Sequence, residues 1–443
     1  MHSPQQVRRP RGGQREADDM TTTASELIGK AQAAKAAARQ LRKLPTDGKN
    51  AALAAIAHAL EQDPQLVLDA NALDMEAGRA AGLGDALLAR LELTPQALGY
   101  MIDGVRNVIA LPDPAGESFD SRTLGNGMRV ERRRVPLGVI GTIFEARPEV
   151  PVDISALCIK SGNAVILRGG KEAINTNIAL GRLIRGALQG TAVPPDAVQM
   201  IETVERSVVD QMVRLTEYID LLVPRGGAAL IRFIQENATV PAITGGIGVV
   251  HAYVDSVSDA DMAANIILNA KVQAPAKCNA LDTVLIHAAA APRVLPRIAV
   301  PLASAGVEMR CDQRALSLLG PVDEHHVKAA VPSDFGQEFL ALVLSVRVVD
   351  SLDEAIEHIE TYGSGHSEVI ITGDYAAATR FVDEVDASVV LVNASSRFND
   401  GGQLGLGAEV AISTNKLHAR GPMGLRELTT YKWVALGTGQ VRQ

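Results

Sequence analysis

Apolar positions recur at helical spacing from Thr23 to about Leu44, where Pro45 stops the run, and again from about Asp47 to Gln62. Thr23 and Glu26 have the spacing of a capping box, which predicts that the first helix starts there. Helical periodicity continues to about Ile109 and breaks at Leu111-Pro112-Asp113-Pro114. Residues 117–135 change period and read as two short polar strands around Asn126-Gly127, a strong hairpin dipeptide. A polar hairpin between two larger blocks suggests an arm that pairs with another subunit.

From Val135 onward, short apolar runs alternate with helical stretches. Runs 135–144, 164–167, 198–201 and 219–223 read as strands, with helices over 151–160, 172–188 and 228–235. A second block repeats the theme, with strands at 250–254, 281–286, 346–349, 369–372 and 388–392. Its helices fall at 260–270, 291–303, 352–361 and 375–385. Such alternation predicts an α/β fold of two doubly wound parallel-sheet domains. We expect one domain from 21–116 with 134–248, a second from 249–390, an arm from 117–133 with 409–443, and a disordered tail over 1–20. A cleft between the two domains is expected near Cys278.

Composition narrows the function. The 443 residues carry a formal net charge of −8, with 3% aromatic and 47% hydrophobic residues. Few aromatics and no basic excess argue against a nucleic-acid surface and favour a small-molecule enzyme. Three scattered cysteines (Cys158, Cys278, Cys311) form neither a disulfide framework nor a metal-ligand spacing, so a reducing cytoplasm is expected and no metal site. No run reaches the length of a membrane span. Arg8-Arg9-Pro10-Arg11 lacks the apolar region a twin-arginine address would need, and Met1 and Met20 are both available as starts.

Two strand-to-helix junctions, Arg168-Gly169-Gly170 (followed by Lys171) and Arg225-Gly226-Gly227, place bare amides and a cation at helix N-termini, a natural phosphate cradle. Neither is a G-x-G-x-x-G or a P-loop, and glycine also serves tight turns. Cys278, between an Ala/Pro-rich loop and an apolar strand, is a candidate nucleophile that Lys277 would activate; its bland alternative is a small buried hydrophobe.

The segments Val135-Pro-Leu-Gly-Val-Ile-Gly-Thr-Ile, Ser161-Gly-Asn-Ala-Val-Ile-Leu-Arg and Glu338-Phe339 resemble the aldehyde dehydrogenase superfamily. Glu145-Ala-Arg-Pro, Ala276-Lys-Cys-Asn, Tyr362-Gly-Ser-Gly-His-Ser-Glu, Val392-Asn-Ala-Ser-Ser-Arg-Phe and Asn415-Lys-Leu-His-Ala-Arg-Gly-Pro-Met-Gly resemble, within it, the glutamate-5-semialdehyde dehydrogenase family, from about Thr23 to Gly437. That resemblance implies NADPH-dependent reduction of L-glutamyl 5-phosphate to the semialdehyde in proline biosynthesis. It also implies a homo-oligomer and functional coupling to an upstream glutamate 5-kinase. Cys278 is implied as the nucleophile, Arg168 as partner of the NADP(H) 2′-phosphate and Glu338 as holder of the nicotinamide ribose.

Departures from the wider superfamily sharpen the chemistry. Ile243 stands where hydrolytic members keep a water-activating glutamate two residues before a Gly-Gly pair. A Cys278 thioester should then outlast water, which suits a phosphate-releasing reductase and also a coenzyme-A-acylating enzyme. The third possibility is a non-catalytic relative kept as a scaffold. The usual oxyanion asparagine is missing near Glu145-Ala146, leaving the Cys278 backbone N–H and Asn279 as candidate donors. Arg147 is a candidate for the acyl phosphate or the substrate carboxylate, or else a surface ion pair. His366 is either near substrate or structural, and Ser395, Ser396 and Arg397 are either part of the glutamate-end pocket or a polar turn. Cys158 reads as helix core.

Overall fold

The computed structural model describes residues 12–245, 247–319 and 325–442; residues 1–11 of the expected tail and Gly246 lie outside them. Contacts divide the chain into two units, Met1–Ile243 with Leu425–Gln443, and Thr244–Gly424. The expected boundary at 248 moves to 243, and residues 409–424, expected in the arm, group with the second unit.

In the first unit, helix Gly12–Leu41 runs through Thr23 instead of starting there, and takes in residues 12–20 of the expected tail. Gln14, Arg15, Glu16 and Ala17 are good helix formers, so nothing stops the helix before the Gly12-Gly13 pair. Helices Thr46–Gln62, Pro64–Ala80, Asp85–Leu91 and Pro95–Ala110 follow. The hairpin forms as expected: β1 (Ser118–Thr123) and β2 (Arg129–Pro136) pair antiparallel, Gly127 supplies φ +83° at the turn, and the C-terminal strand Thr429–Leu436 adds to the far side of β2.

The run expected as one strand over 135–144 is broken. β3 (Val139–Phe144) begins after Gly138, at φ +136°. There Asn163 Oδ1 accepts the Gly138 N–H and Asp220 Oδ2 the Val139 N–H, each at 2.8 Å. β3, β4 (Ala164–Gly169), β5 (Val198–Met200) and β6 (Leu221–Leu222) form a parallel sheet in the order β5-β4-β3-β6. β3 and β4 are buried along their whole length, as an apolar run covered on both faces by helices should be. Helix Val150–Ser161 follows β3 and closes on Gly162, φ +84°, a left-handed C-terminal stop.

The second unit holds seven parallel strands: β7 (Val250–Val254), β8 (Thr283–His287), β9 (Glu308–Cys311), β10 (Val327–Ala329), β11 (Val343–Val349), β12 (Ser367–Ile371) and β13 (Val389–Val392), ordered β10-β9-β11-β8-β7-β12-β13. The short strands β9 and β10 are invisible to hydrophobic periodicity, because β9 alternates buried and half-buried positions over four residues and β10 is largely exposed. Because all strands run the same way, the segments entering β7, β8, β11 and β12 gather at one edge of the sheet. These are Gly248, the 273–282 loop, Glu338-Phe339 and Gly363–His366. Among the described residues no helix is long and apolar enough to cross a membrane.

Candidate active site

In the second unit, the loop after helix Ala260–Val272 carries Cys278 in two tight turns, with Ala280 N–H donating to Lys277 O at 3.0 Å. Cys278 is half-buried, whereas Cys158 and Cys311 are enclosed, and burial pushes both of their thiols up, Cys311 to about 12. Gly248 lies directly against the loop. A methyl there would fall 2.9 Å from the Cys278 carbonyl carbon and 3.0 Å from its Cβ, closer than real Cβ atoms approach. The N–H of Gly248 donates to the Glu338 carboxylate, whose pKa burial raises. Glu338 and Cys278 therefore share one glycine as their common neighbour. Lys277 is exposed; Arg397 is a cation within electrostatic reach of Cys278.

Asn279, expected as an oxyanion donor, uses one of its two Nδ2 hydrogens inside the fold. It is buried, its Nδ2 donates to Asn399 O at 2.9 Å, and its own carbonyl accepts from Ser396 Oγ at 2.7 Å. Those bonds bolt the Cys278 loop to the 3-10 turn Ser396–Phe398, which carries Arg397. Ser395 caps that turn by accepting the Arg397 N–H at 3.3 Å.

His366 belongs to the same scaffold. Its Nδ1 lies 2.7 Å from Ser367 Oγ, which accepts from Asn399 Nδ2 at 2.7 Å, and its carbonyl accepts from Ser388 Oγ at 2.5 Å. Burial lowers its pKa to about 4. The imidazole thus stays neutral in the fold while an unfolded His, near 6.5, takes up a proton, so the stability that depends on its neutral form is lost as pH falls from about 6.5 to about 4. We expect on the order of 3 kcal/mol from this group. Calorimetric midpoints measured across that range should fall with pH, and His366→Gln should flatten the slope by about one proton. An unchanged slope would contradict the assignment.

In the first unit, both Gly-Gly junctions already hold a carboxylate of the chain itself. The Gly227 N–H donates to Glu145 Oε2 at 2.9 Å, and a methyl on Gly226 would lie 2.6 Å from that same oxygen. The Glu172 carboxylate lies over Gly170, 2.5 Å from where its methyl would stand, and Glu172 Oε1 accepts the Ala146 N–H at 2.7 Å. Ala146 holds a left-handed φ of +34° in that clasp, a strained position for a residue with a side chain. Gly169 allows close approach, since a methyl there would meet Phe144 Cζ at 2.9 Å and press on Asn177.

Arg168 is buried, and its Nη2 donates to the carbonyl of Val204 at 2.9 Å while its Nε has no partner. Lys171 is exposed at the start of the following turn. Arg147 pairs with Glu149 at 3.7 Å and keeps a buried Nε without a partner. Arg225 acts on Asp153, a carboxyl that sequence reasoning passed over and that burial, then Glu149, pushes up to about 7. Glu145 and Glu172 were also passed over in the sequence, because the amides they hold lie 82 and 26 residues away in the chain. Ile243 is a buried apolar side chain.

The model of the aldehyde dehydrogenase family matches residues 2–332. A gamma-glutamyl phosphate reductase of Roseiflexus castenholzii is 57% identical over 413 residues, 92% of this chain and 97% of that one. One from Chloroflexus aurantiacus is 54% identical over 94% of this chain and 99% of its own length. The crystal structure of the Thermotoga maritima gamma-glutamyl phosphate reductase superposes with a TM-score of 0.91 at 45% identity, covering 94% of this chain and all of that one. The chain belongs to the aldehyde dehydrogenase family, among its gamma-glutamyl phosphate reductases. It is an enzyme of that type, and the two parallel sheets described above are the family's fold. Among the described residues no cluster of three or more His, Cys, Asp or Glu has a metal-holding arrangement.

Proposed function

We propose that the protein reduces L-glutamyl 5-phosphate to L-glutamate 5-semialdehyde with NADPH, releasing phosphate, in the route from glutamate to proline. The observation that carries the chemistry is Cys278: the half-buried thiol of three, in a loop fixed from two sides and sensed by a guanidinium. Its thiolate attacks the acyl carbon, phosphate leaves, and the acyl group rests on sulfur as a thioester. NADPH, when bound, supplies the hydride, and the resulting thiohemiacetal collapses to aldehyde and thiolate. With the buried isoleucine Ile243 where hydrolytic members of the superfamily keep a base, water has no activating carboxylate at that position.

The chain's residues suit a dinucleotide phosphate. The Gly227 amide already donates to an anionic oxygen, that of Glu145, so the cradle has the right sign and hydrogen-bonding capacity. Arg225, Arg168, Gly169, Gly170 and Lys171 are our cofactor-binding set, with Glu338 for the nicotinamide ribose. Exposed Lys171 is freer to reach a 2′-phosphate than Arg168, which is partly spent on Val204. Arg147 and Arg397, each with a buried nitrogen lacking a partner, are the candidates for the substrate's anionic groups. We assign subunit pairing to the β1–β2 arm, whose outer strands leave open edges.

If the diphosphate takes the Gly227 amide, it must expel Glu145. Glu145→Gln should then tighten NADPH binding by about 3- to 10-fold, the size of one nearby charge effect. Fluorescence titration of NADPH measures it, and an unchanged or weaker affinity would place the cofactor elsewhere. The function itself is tested in reverse: NADP reduction with glutamate semialdehyde should depend on phosphate or arsenate. Equal rates without either would defeat the proposal, and saturation by coenzyme A in their place would favour an acylating enzyme.

A further inference from the structure

We propose that the 396–399 turn is the activating element of Cys278. Arg397 supplies the positive charge that favours the thiolate, and the bonds of Ser396 and Asn399 to Asn279 hold that charge beside the sulfur.

The geometry is continuous. Arg397 Nε donates to Gln273 Oε1 at 3.0 Å, which ties the guanidinium to the same loop that bears Cys278. Its Nη1 is buried with no hydrogen-bond partner, a position that costs free energy unless an anion meets it. Behind it, Ser396 Oγ and Asn399 O grip the backbone and side chain of Asn279, next in sequence to the nucleophile. Asn399 is held in turn through Ser367 to His366, all of them buried. These buried bonds tie loop and turn together, although Asn279 Oδ1 and Asn399 Oδ1 stay without partners, and so they hold the turn that carries the charge against the loop that carries the sulfur.

Other cations are less suitable. Lys277 points to solvent, and Lys271 is buried and paired with Asp282 at 3.7 Å. Arg397 also feels Asp400 and Cys278 as its two anionic neighbours, both raising a pKa that burial otherwise lowers.

This inference rests on Cys278 being the nucleophile, and its test needs neither substrate nor cofactor. The rate of Cys278 alkylation by iodoacetamide is measured against pH on the whole chain, by peptide mapping. Arg397→Ala should slow alkylation at neutral pH by about tenfold or more and move its midpoint upward, with the wild-type rate regained at high pH, because thiolate fraction sets the rate. Arg397→Gln should lose as much, whereas Arg397→Lys should keep most of the low midpoint. Ser396→Ala should raise the midpoint by a smaller amount. Superimposable profiles for wild type and Arg397→Ala would overturn the proposal, as would a loss in Arg397→Ala that persists at high pH. A wild-type Cys278 unreactive at every pH would instead defeat the nucleophile assignment beneath it.

Discussion

Replacement of Cys278 by serine is expected to lower kcat for glutamyl phosphate reduction by roughly 10⁴-fold or more, with NADPH affinity little changed. An alkoxide is far harder to form than a thiolate, because a serine hydroxyl is a much weaker acid than a thiol. Neither remaining cysteine can take over. Cys158 lies within helix Val150–Ser161 and Cys311 on β9, both buried and both with thiols pushed up by burial. Steady-state assays with acyl phosphate generated in situ measure the loss. Retention of more than about one part in a hundred of wild-type kcat would mean that chemistry does not pass through this sulfur.

Gly248→Ala should cost nearly as much without touching a reacting atom. The added methyl would run into the Cys278 carbonyl oxygen, with the carbonyl carbon 2.9 Å away, and these are backbone atoms that cannot rotate aside. Either the loop or the strand entry at β7 must move, and a nucleophile displaced by about 1 Å can lose about 10²-fold. The same shift disturbs the Gly248 N–H that Glu338 accepts. We expect kcat/KM to fall about 10²- to 10³-fold, with a lower unfolding midpoint but a folded protein by circular dichroism. Wild-type activity in this variant would show that the loop tolerates movement and that its placement is not critical.

The elements that sequence could reveal were those whose periodicity is carried by burial. β3, β4, β7 and β8 are apolar runs buried on both faces, and the amphipathic helices Leu352–Tyr362 and Tyr375–Glu384 bury one stripe each. The helix Arg206–Met212, β9 and β10 escaped because they are too short for any period to register. The division of 135–144 at Gly138 depends on Asp220 and Asn163, which are remote in sequence. The half-buried loop position of Cys278 was legible because a lone thiol between a Pro-bearing loop and an apolar strand is locally unusual, and motifs around it carried the family. The work done by Asn279 and His366 was not legible, since both roles come from hydrogen bonds across segments more than 20 residues apart. Glu145 on the Gly227 amide and Glu172 on the Ala146 amide were hidden for the same reason: a carboxylate's partner is set by the fold, not by its neighbours in the chain.

The claim at the centre is that the acyl group waits on Cys278 because water is not activated, and one measurement reaches it directly. The enzyme is mixed with glutamate semialdehyde and NADP in the absence of phosphate and arsenate, NADPH formation is followed, and the protein is then quenched in acid and mapped by peptide mass. We predict a single burst of one NADPH per site that then stops, with a glutamyl adduct on Cys278 that disappears when phosphate is added. Continuous NADPH formation with free glutamate as product and no adduct on Cys278 would contradict it.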